Sequence, residues 1–363
     1  MLIKGIVRYS MKTIPIFEYN TAQRTLEDSK KQKEQEIIIS AFTECNMNCS
    51  FCGDRLRLKE KPSKQGFDSR LQMLEQILPF IKEDVINIKF FGGELFQDKY
   101  DESIYSLYDY FLSSLYSLCS NKKIKLSIST NLIFNDPIRP LEFLHKHKPD
   151  IRCSFDFSGR FTKQRQLDNF LRNLQLLKDE GLSPALAIII TRDLFESVKN
   201  SSYCGLSKYW KYFYENYEIS LDYYDSIDML PVTVDIDNID TKKEAREDKL
   251  KLSEQELGEF FIYCIEHYPK VSNIQALLSS FKKKLSSSHC LHGYSITDRI
   301  YWECCNMKEV KQLFLQNKQC FLCKYYNNCI GTCYRVFAKE KECHLKLAYS
   351  YIEQNEDSIF KAN

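Results

Sequence analysis

The chain has no apolar run approaching the roughly 20 residues that a transmembrane helix needs. Its N-terminus also lacks a long apolar segment followed by a small-residue cleavage site, which a secretory signal would carry. From these absences we expect neither a membrane anchor nor a signal peptide. They predict a cytoplasmic protein without a membrane partner.

The chain also lacks a strong charge of either sign. Its 51 basic and 49 acidic residues leave a net charge of +2, which gives no general attraction to nucleic acid or to anionic membranes. It has no long repeat and no low-complexity segment. At 363 residues and 44% hydrophobic composition, it is long and apolar enough for two or three globular domains.

Cysteine, in contrast, is abundant, with 15 residues in the chain. Disulfides are rare in the cytosol, because thiols there are kept reduced. In a cytoplasmic protein, so many cysteines favour metal or cluster ligation over disulfide bonding.

The first cysteine motif follows an apolar run, Ile37–Phe42, that is typical of a buried strand. Cys45, Cys49 and Cys52 come next, with the spacing C-x3-C-x2-C. Three thiolates on one short loop can hold three irons of a cubane cluster and leave the fourth iron open to a small molecule. A zinc knuckle and a chance spacing are the alternative interpretations of this motif.

A second group of cysteines occupies the C-terminal part of the chain. Cys290 and Cys304 flank a short segment that resembles a hairpin. The cysteines that follow have the spacing C-x2-C-x5-C-x3-C, with one more ten residues later: Cys320, Cys323, Cys329, Cys333 and Cys343. Such a pattern is a strong signal for metal binding, and its spacing allows zinc as well as iron–sulfur clusters.

Between about residues 37 and 229 the pattern alternates between strands and helices. The six predicted strands are Ile37–Phe42, Val85–Phe91, Ile124–Ser129, Ile151–Phe157, Ala185–Ile190 and Ile219–Tyr224. Six parallel βα units predict an α/β fold, a partial (βα)6 TIM-like barrel with its functional residues at the carboxyl ends of the strands. The predicted domains are a cap at 1–35, the barrel at 36–232, a linker with helices at 233–285 and a cysteine-rich domain at 286–363.

Together these motifs resemble the radical S-adenosylmethionine (SAM) enzymes that carry a C-terminal SPASM domain, a class that includes sulfatase maturases and peptide maturases. The resemblance covers roughly residues 36–345. It implies that Cys45, Cys49 and Cys52 bind a [4Fe–4S] cluster that also binds SAM. It further implies that SAM is cleaved reductively to a 5′-deoxyadenosyl radical, which abstracts hydrogen from a substrate carbon.

The resemblance also assigns two auxiliary [4Fe–4S] clusters to the C-terminal domain, three in all. Cys290, Cys304 and Cys333 would bind the first of these, whose fourth ligand stays open. Cys320, Cys323, Cys329 and Cys343 would bind the second. All seven cysteine places of the family pattern are filled, although Arg299 stands where the family has glycine.

The same resemblance implies contacts to SAM at the ends of the predicted strands. Gly92-Gly93-Glu94 is similar to the GGE motif, in which Glu94 or the neighbouring carbonyls accept hydrogen bonds from the SAM ammonium; Leu95 replaces the usual proline. Ser129, Asn131, Ser154 and Arg165 would contact the SAM ribose and carboxylate. For each of these four, an ordinary turn or surface role is the alternative.

The acidic, aromatic segment Asp222–Asp228 overlaps the end of the sixth predicted strand. Asp225 within it is the predicted general base, and a solvated surface loop is the alternative interpretation. The family implies a peptide or protein substrate and a reducing donor such as flavodoxin or ferredoxin. A small-metabolite substrate is the second hypothesis, because residues 1–35 are too short for a separate leader-binding domain. A third is a non-catalytic zinc or iron–sulfur module.

Overall fold

A parallel β-sheet lies at the centre of the protein, which we describe from a computed structural model. The described residues are 34–49, 59–157, 160–200, 207–223, 252–283, 293–296, 300–302, 323–325, 329 and 343–361. The parallel strands are β1 (Glu34–Ser40), β2 (Val85–Phe91), β3 (Lys123–Thr130), β4 (Asp150–Phe155), β5 (Ala185–Ile190) and β6 (Ile219–Tyr223). Each pairs in parallel with the next, so the six predicted parallel strands are confirmed.

Helices connect these strands and cover one face of the sheet. They are α1 (Lys64–Ile77), α2 (Glu102–Leu118), α3 (Ile138–His147), α4 (Gln164–Asp179), α5 (Arg192–Lys199) and α6 (Ser207–Asn216). The sheet curls into a half-barrel, as the sequence predicted. Several helices begin at a side-chain cap, as where Ser63 Oγ accepts a hydrogen bond from the Gly66 N–H at 3.1 Å.

The apolar core lies between the sheet and these helices. Alternate residues of each strand, such as Ile86, Ile88 and Phe90 of β2, are fully buried there. Phe90 contacts Phe67 of α1 and Phe111 of α2, with ring centroids 6.3 and 5.1 Å apart. The intervening strand residues point to the other, concave face. This division determines which side chains can line the interior of the half-barrel.

The first strand begins three residues earlier than the predicted Ile37. Glu36 forms an ion pair with Lys89 of β2 at 2.5 Å, and Glu34 pairs with Lys125 of β3. These cross-strand contacts lie on the concave face and extend the ladder in the N-terminal direction. An apolar pattern cannot reveal charged residues that belong to a strand.

A C-terminal hairpin extends this sheet. Strand β7 (Gly293–Ile296) pairs in parallel with β1 and antiparallel with β8 (Ile300–Trp302). The described strands form one eight-stranded sheet in the order β6-β5-β4-β3-β2-β1-β7-β8. The sequence predicted the hairpin but not its partner, because its pairing with a strand more than 250 residues earlier leaves no local signal.

Two further pairs of helices follow β6. Helices α7 (Glu254–His267) and α8 (Ser272–Lys283) precede the hairpin, and α9 (His344–Gln354) and α10 (Glu356–Lys361) end the described chain. The Glu254 carboxylate accepts hydrogen bonds from the His344 N–H at 2.9 Å and lies 2.7 Å from His344 Nδ1, all in the interior. This contact joins α7 to the start of α9, directly beside Cys343.

Within the described residues, no helix combines the length and apolar character that crossing a bilayer requires. The domain boundaries near residues 35, 232 and 285 stay predictions.

Candidate functional site

The cysteine loop leaves the carboxyl end of β1. Cys45 is half-buried, and Cys49 is buried against Met47, Ile133 and Ile189. Ile133 and Ile189 come from the ends of β3 and β5, so the loop covers the carboxyl edge of the half-barrel. This is the edge where the sequence placed the site. Cys52 lies outside the described residues.

The backbone at the end of β2 touches this loop. A Cβ atom at Gly93 would lie 2.2 Å from the Glu44 carbonyl oxygen, a distance that real structures do not allow. The Glu94 N–H donates a hydrogen bond to the same oxygen at 3.0 Å. Only glycine fits at position 93, because its backbone touches the backbone of Glu44, the residue before Cys45.

Glu94 is buried, with only 2% of its surface exposed. Its carboxylate accepts hydrogen bonds from the Phe96 N–H at 2.9 Å, the Asn131 N–H at 2.6 Å and the Thr130 hydroxyl at 2.7 Å. Burial raises its pKa to about 7, although these donors favour the charged form. The side chain thus ties the end of β2 to the end of β3, and the contact of Glu94 or its neighbouring carbonyls with SAM stays a prediction.

This burial predicts a pH effect on stability. The Glu94 pKa is about 7 in the folded protein against 4.5 for a free side chain. The contribution of Glu94 to the free energy of unfolding is therefore fully present below its pKa in the unfolded state. About 3 kcal/mol of it is lost as the pH rises through its pKa in the folded state. Glu94→Gln cannot ionise and should remove this loss. Urea unfolding from about pH 4.5 to about pH 8 measures it, and parallel profiles for variant and wild type would contradict the assignment.

Asn131, at the end of β3, reaches the cysteine loop. Its Nδ2 lies 3.8 Å from Cys45 Sγ and donates a hydrogen bond to Asn46 Oδ1 at 2.8 Å. Asn46 Nδ2 in turn donates to the Ile133 carbonyl at 2.6 Å. Leu132 between them is buried with φ of 54°, a conformation that is rare for a side chain of this kind. The strained turn holds the β3 end against Cys45.

Two buried charges lie near Cys49 and were not among the residues predicted from the sequence. Burial raises the pKa of the Cys49 thiol, the positive charge of Arg160 lowers it and the negative charge of Asp156 raises it. Arg160 and Asp156 are 8% and 2% exposed. The only sequence signal was their position after β4, at a strand end where site residues are expected.

The other predicted SAM contacts are more dispersed. Ser129 and Ser154 are half-buried on the concave face of β3 and β4. Arg165 is exposed at the start of α4, where its Nη2 donates a hydrogen bond to Asn135 Oδ1 at 2.9 Å. Asp225 lies outside the described residues. The roles of all four stay predictions.

Three predicted ligands of the second auxiliary cluster are described. Cys323, Cys329 and Cys343 are each half-buried and pack against the main core. The other predicted ligands lie outside the described residues: Cys290, Cys304, Cys320 and Cys333. In the part of the chain that the structure describes, no three potential metal ligands come together. Which cysteines share a cluster stays a prediction.

Solved structures with the same architecture were found. Native anSMEcpe with bound AdoMet and Kp18Cys peptide is 15% identical, with a TM-score of 0.63 over 91% of this chain and 99% of that chain. Streptococcus suis SuiB bound to S-adenosylmethionine is 16% identical, with a TM-score of 0.50 over 95% of this chain and 85% of that chain. The chain has the fold of the radical SAM enzymes. At these sequence identities, the similarity establishes only the fold of this chain.

No family model matches the sequence, and no curated protein matches it. The similarity to the radical SAM fold is thus visible in the structure and in the spacing of a few residues. The described residues fit the iron–sulfur cluster and the SAM that the sequence predicts for this edge of the sheet. Two thiols lie on the loop above the barrel edge, and the bare backbone at Gly93 leaves that loop close to the end of β2.

Proposed function

We propose that this protein is a radical SAM enzyme that abstracts hydrogen from a carbon of a peptide or protein substrate. The observation that carries the proposal is the contact between the cysteine loop and the Gly92–Glu94 segment at the carboxyl ends of β1 and β2. The sequence motifs for a cluster and for SAM are 47 residues apart in the chain (Cys45 to Gly92), yet they meet there. That juxtaposition is what a shared cluster and SAM site requires.

Each residue would have a limited task in this site. Cys45, Cys49 and Cys52 would hold a [4Fe–4S] cluster, which when bound supplies the electron that cleaves SAM to a 5′-deoxyadenosyl radical. The backbone carbonyls near Gly93 would orient the SAM ammonium. Glu94 and Asn131 would hold the two loops together, and Ile133 and Ile189 would keep water from the reacting atoms.

The fold similarity supports a peptide substrate. Structures of anSMEcpe, with TM-scores of 0.62 and 0.63, contain the Cp18Cys and Kp18Cys peptides. The proposed auxiliary clusters, at Cys290, Cys304 and Cys333 and at Cys320, Cys323, Cys329 and Cys343, would carry electrons to or from the substrate. Flavodoxin or ferredoxin is the proposed reductant.

Anaerobic reconstitution tests the proposal directly. The protein should bind about twelve irons per chain, and under reductant it should release 5′-deoxyadenosine from SAM. Addition of SAM should change the electron paramagnetic resonance signal of the reduced protein. Stoichiometric zinc with no 5′-deoxyadenosine would support a non-catalytic metal module and would defeat the proposal.

The two cysteine groups should respond differently to mutation. Cys329→Ala should retain most of the SAM cleavage, because its proposed cluster is separate from the one at Cys45 and Cys49. It should lose about four of the roughly twelve irons and nearly all modified product. Iron analysis and 5′-deoxyadenosine assays measure this separation. Equal loss of 5′-deoxyadenosine in Cys329→Ala and in variants of the first motif would contradict separate roles.

A further inference from the structure

The segment that follows Glu94 makes a tight turn before α2 begins. The Tyr100 N–H donates a hydrogen bond to the Gln97 carbonyl at 2.9 Å, which closes a β-turn of four residues. The side chains at both ends of this turn, Gln97 and Tyr100, are buried although each is polar. Buried polar groups are normally hydrogen-bonded, so the partners of these two side chains show what the turn holds in place.

The Gln97 amide joins the backbone of the cysteine loop to that of the Gly92–Glu94 segment. Its Nε2 donates hydrogen bonds to the Glu44 carbonyl and to the Glu94 carbonyl, both at 3.1 Å. It also donates to the Tyr100 hydroxyl oxygen at 2.6 Å, so two N–H groups are shared among three oxygens. The Glu94 N–H donates to the same Glu44 carbonyl. One side chain thus reinforces the contact between the two segments.

The orientation of this amide follows from its neighbours. A rotated amide would place Gln97 Oε1 against the Glu44 and Glu94 carbonyl oxygens, which only accept hydrogen bonds and would repel it. The position therefore requires a side chain that ends in N–H donors. A residue of similar length without donors would leave both carbonyls without this partner.

The Tyr100 hydroxyl extends this network to the Glu44 side chain. It donates a hydrogen bond to Glu44 Oε2 at 3.0 Å, and Glu44 Oε1 forms an ion pair with Lys99 Nζ at 2.7 Å. The Tyr100 ring packs edge-on against Phe42, with ring centroids 6.4 Å apart. Glu44 is thus held through its carbonyl and through its carboxylate, and it directly precedes Cys45.

The backbone carbonyls at this junction are the groups to which the proposed function assigns the SAM ammonium. Carbonyls that are already held in position bind a cation more tightly, because less conformational entropy is lost on binding. The Gln97 amide fixes the Glu44 carbonyl and the Glu94 carbonyl relative to one another. A side chain outside the sequence motifs thus sets the geometry of the segment that would receive SAM.

We propose that Gln97 is a positioning residue for SAM, and that together with Tyr100 and Glu44 it holds the Gly92–Glu94 segment against the cysteine loop. These three residues, the Gln97 clamp, act on SAM through the backbone carbonyls that they hold. Loss of the clamp lowers the affinity for SAM and leaves the three proposed thiolates in place. The proposal rests on the proposed function and adds the residues that keep its two motifs together.

Gln97→Met tests the clamp in the anaerobically reconstituted protein. Methionine has nearly the same length and no N–H donor, so the volume is kept and both carbonyl contacts are lost. Equilibrium dialysis should give about tenfold weaker SAM binding with unchanged iron content. Gln72→Met, the same substitution at an exposed position of α1, is the control and should bind SAM like the wild type.

Two further readouts on Gln97→Met distinguish positioning of SAM from ligation of the cluster. The change that SAM causes in the electron paramagnetic resonance signal should keep its wild-type size and require about tenfold more SAM. The KM for SAM should rise while kcat for 5′-deoxyadenosine release stays the same. Wild-type affinity for SAM would overturn the proposal. Loss of about four irons would assign Gln97 to the cluster and would also overturn it.

Tyr100→Phe tests whether the clamp acts as a unit. It removes only the hydroxyl that joins Gln97 to the Glu44 carboxylate, and it should also weaken SAM binding. The double variant with Gln97→Met should bind SAM more tightly than the product of the two single effects predicts, because contacting residues are coupled. Tyr110→Phe, which removes an exposed hydroxyl on α2, is the control. Multiplicative effects would contradict a clamp.

Amide hydrogen exchange in the reconstituted protein without SAM separates a local effect from general destabilisation. In Gln97→Met, exchange of the Glu94 N–H should be at least about tenfold faster, because its acceptor, the Glu44 carbonyl, is no longer held. The Leu186 N–H, which donates to the Glu218 carbonyl, should exchange as in the wild type. Equally faster exchange at both sites would mean general destabilisation, and the proposal would fail.

Release of 5′-deoxyadenosine by the wild type reports on the proposed function alone. With that release present, and with equal SAM affinity in the wild type and in Gln97→Met, only the clamp proposal fails. Without that release, the proposed function itself fails.

Discussion

Cys49→Ala should abolish SAM cleavage. Cys49 is buried on the cysteine loop against Ile133 and Ile189, where water is excluded and no other described cysteine besides Cys45 is nearby to replace it. Loss of one of the three proposed thiolates removes the ligand set of the first cluster. We expect about four of the roughly twelve irons to be lost and 5′-deoxyadenosine to fall to the detection limit.

Cys153→Ala is the matched control for this experiment. Cys153 is fully buried in β4 and belongs to the apolar core between sheet and helices. Its replacement should cost about 1 kcal/mol of stability and leave iron content and SAM cleavage unchanged. If Cys49→Ala still released 5′-deoxyadenosine at the wild-type rate, the first motif would not be the SAM-cleaving site.

Gly93→Ala should have the second largest effect. The added methyl carbon would lie 2.2 Å from the Glu44 carbonyl oxygen, which is backbone and cannot turn aside. Either the end of β2 or the cysteine loop must move, at a cost of about 1–3 kcal/mol. Because both segments belong to the proposed SAM site, SAM affinity should fall at least about tenfold.

Gly66→Ala provides the control for the glycine experiment. Its added Cβ would meet the Ser63 side-chain oxygen at 3.1 Å and the Ala41 carbonyl oxygen at 3.6 Å, an ordinary contact distance, so no backbone has to move. Stability should change by less than about 1 kcal/mol, and SAM binding should not change. Equal SAM affinity for Gly93→Ala and wild type, measured by equilibrium dialysis, would show that the close approach does not serve the site.

The tertiary structure shows which groups the Glu94 carboxylate contacts. The sequence places Glu94 in a motif that contacts SAM, but a motif does not reveal where a carboxylate points. In the folded protein, its three hydrogen bonds go to Phe96, Thr130 and Asn131. The partners from β3 are 36 and 37 residues away in the chain, so only the packing of β2 against β3 could identify them.

Asp222 illustrates the same limit. From the sequence, it is one acid in a segment with several, and Asp225 was the predicted base. The structure places Asp222 on the concave face beneath the cysteine loop, while Asp225 lies outside the described residues. Which face a strand residue occupies depends on the alternation along β6 and on the curl of the sheet.

The sequence by itself determined the six parallel strands, the positions of the motifs at their carboxyl ends and the two groups of candidate cysteine ligands. These follow from local signals, namely apolar periodicity and short spacings, which survive without knowledge of the fold. Only the tertiary structure decided that β7 joins β1, that Glu94 holds the β3 end and that Asp222 lies beside Ile189 on the concave face. Those facts depend on contacts between segments far apart in the chain, and no local pattern encodes them.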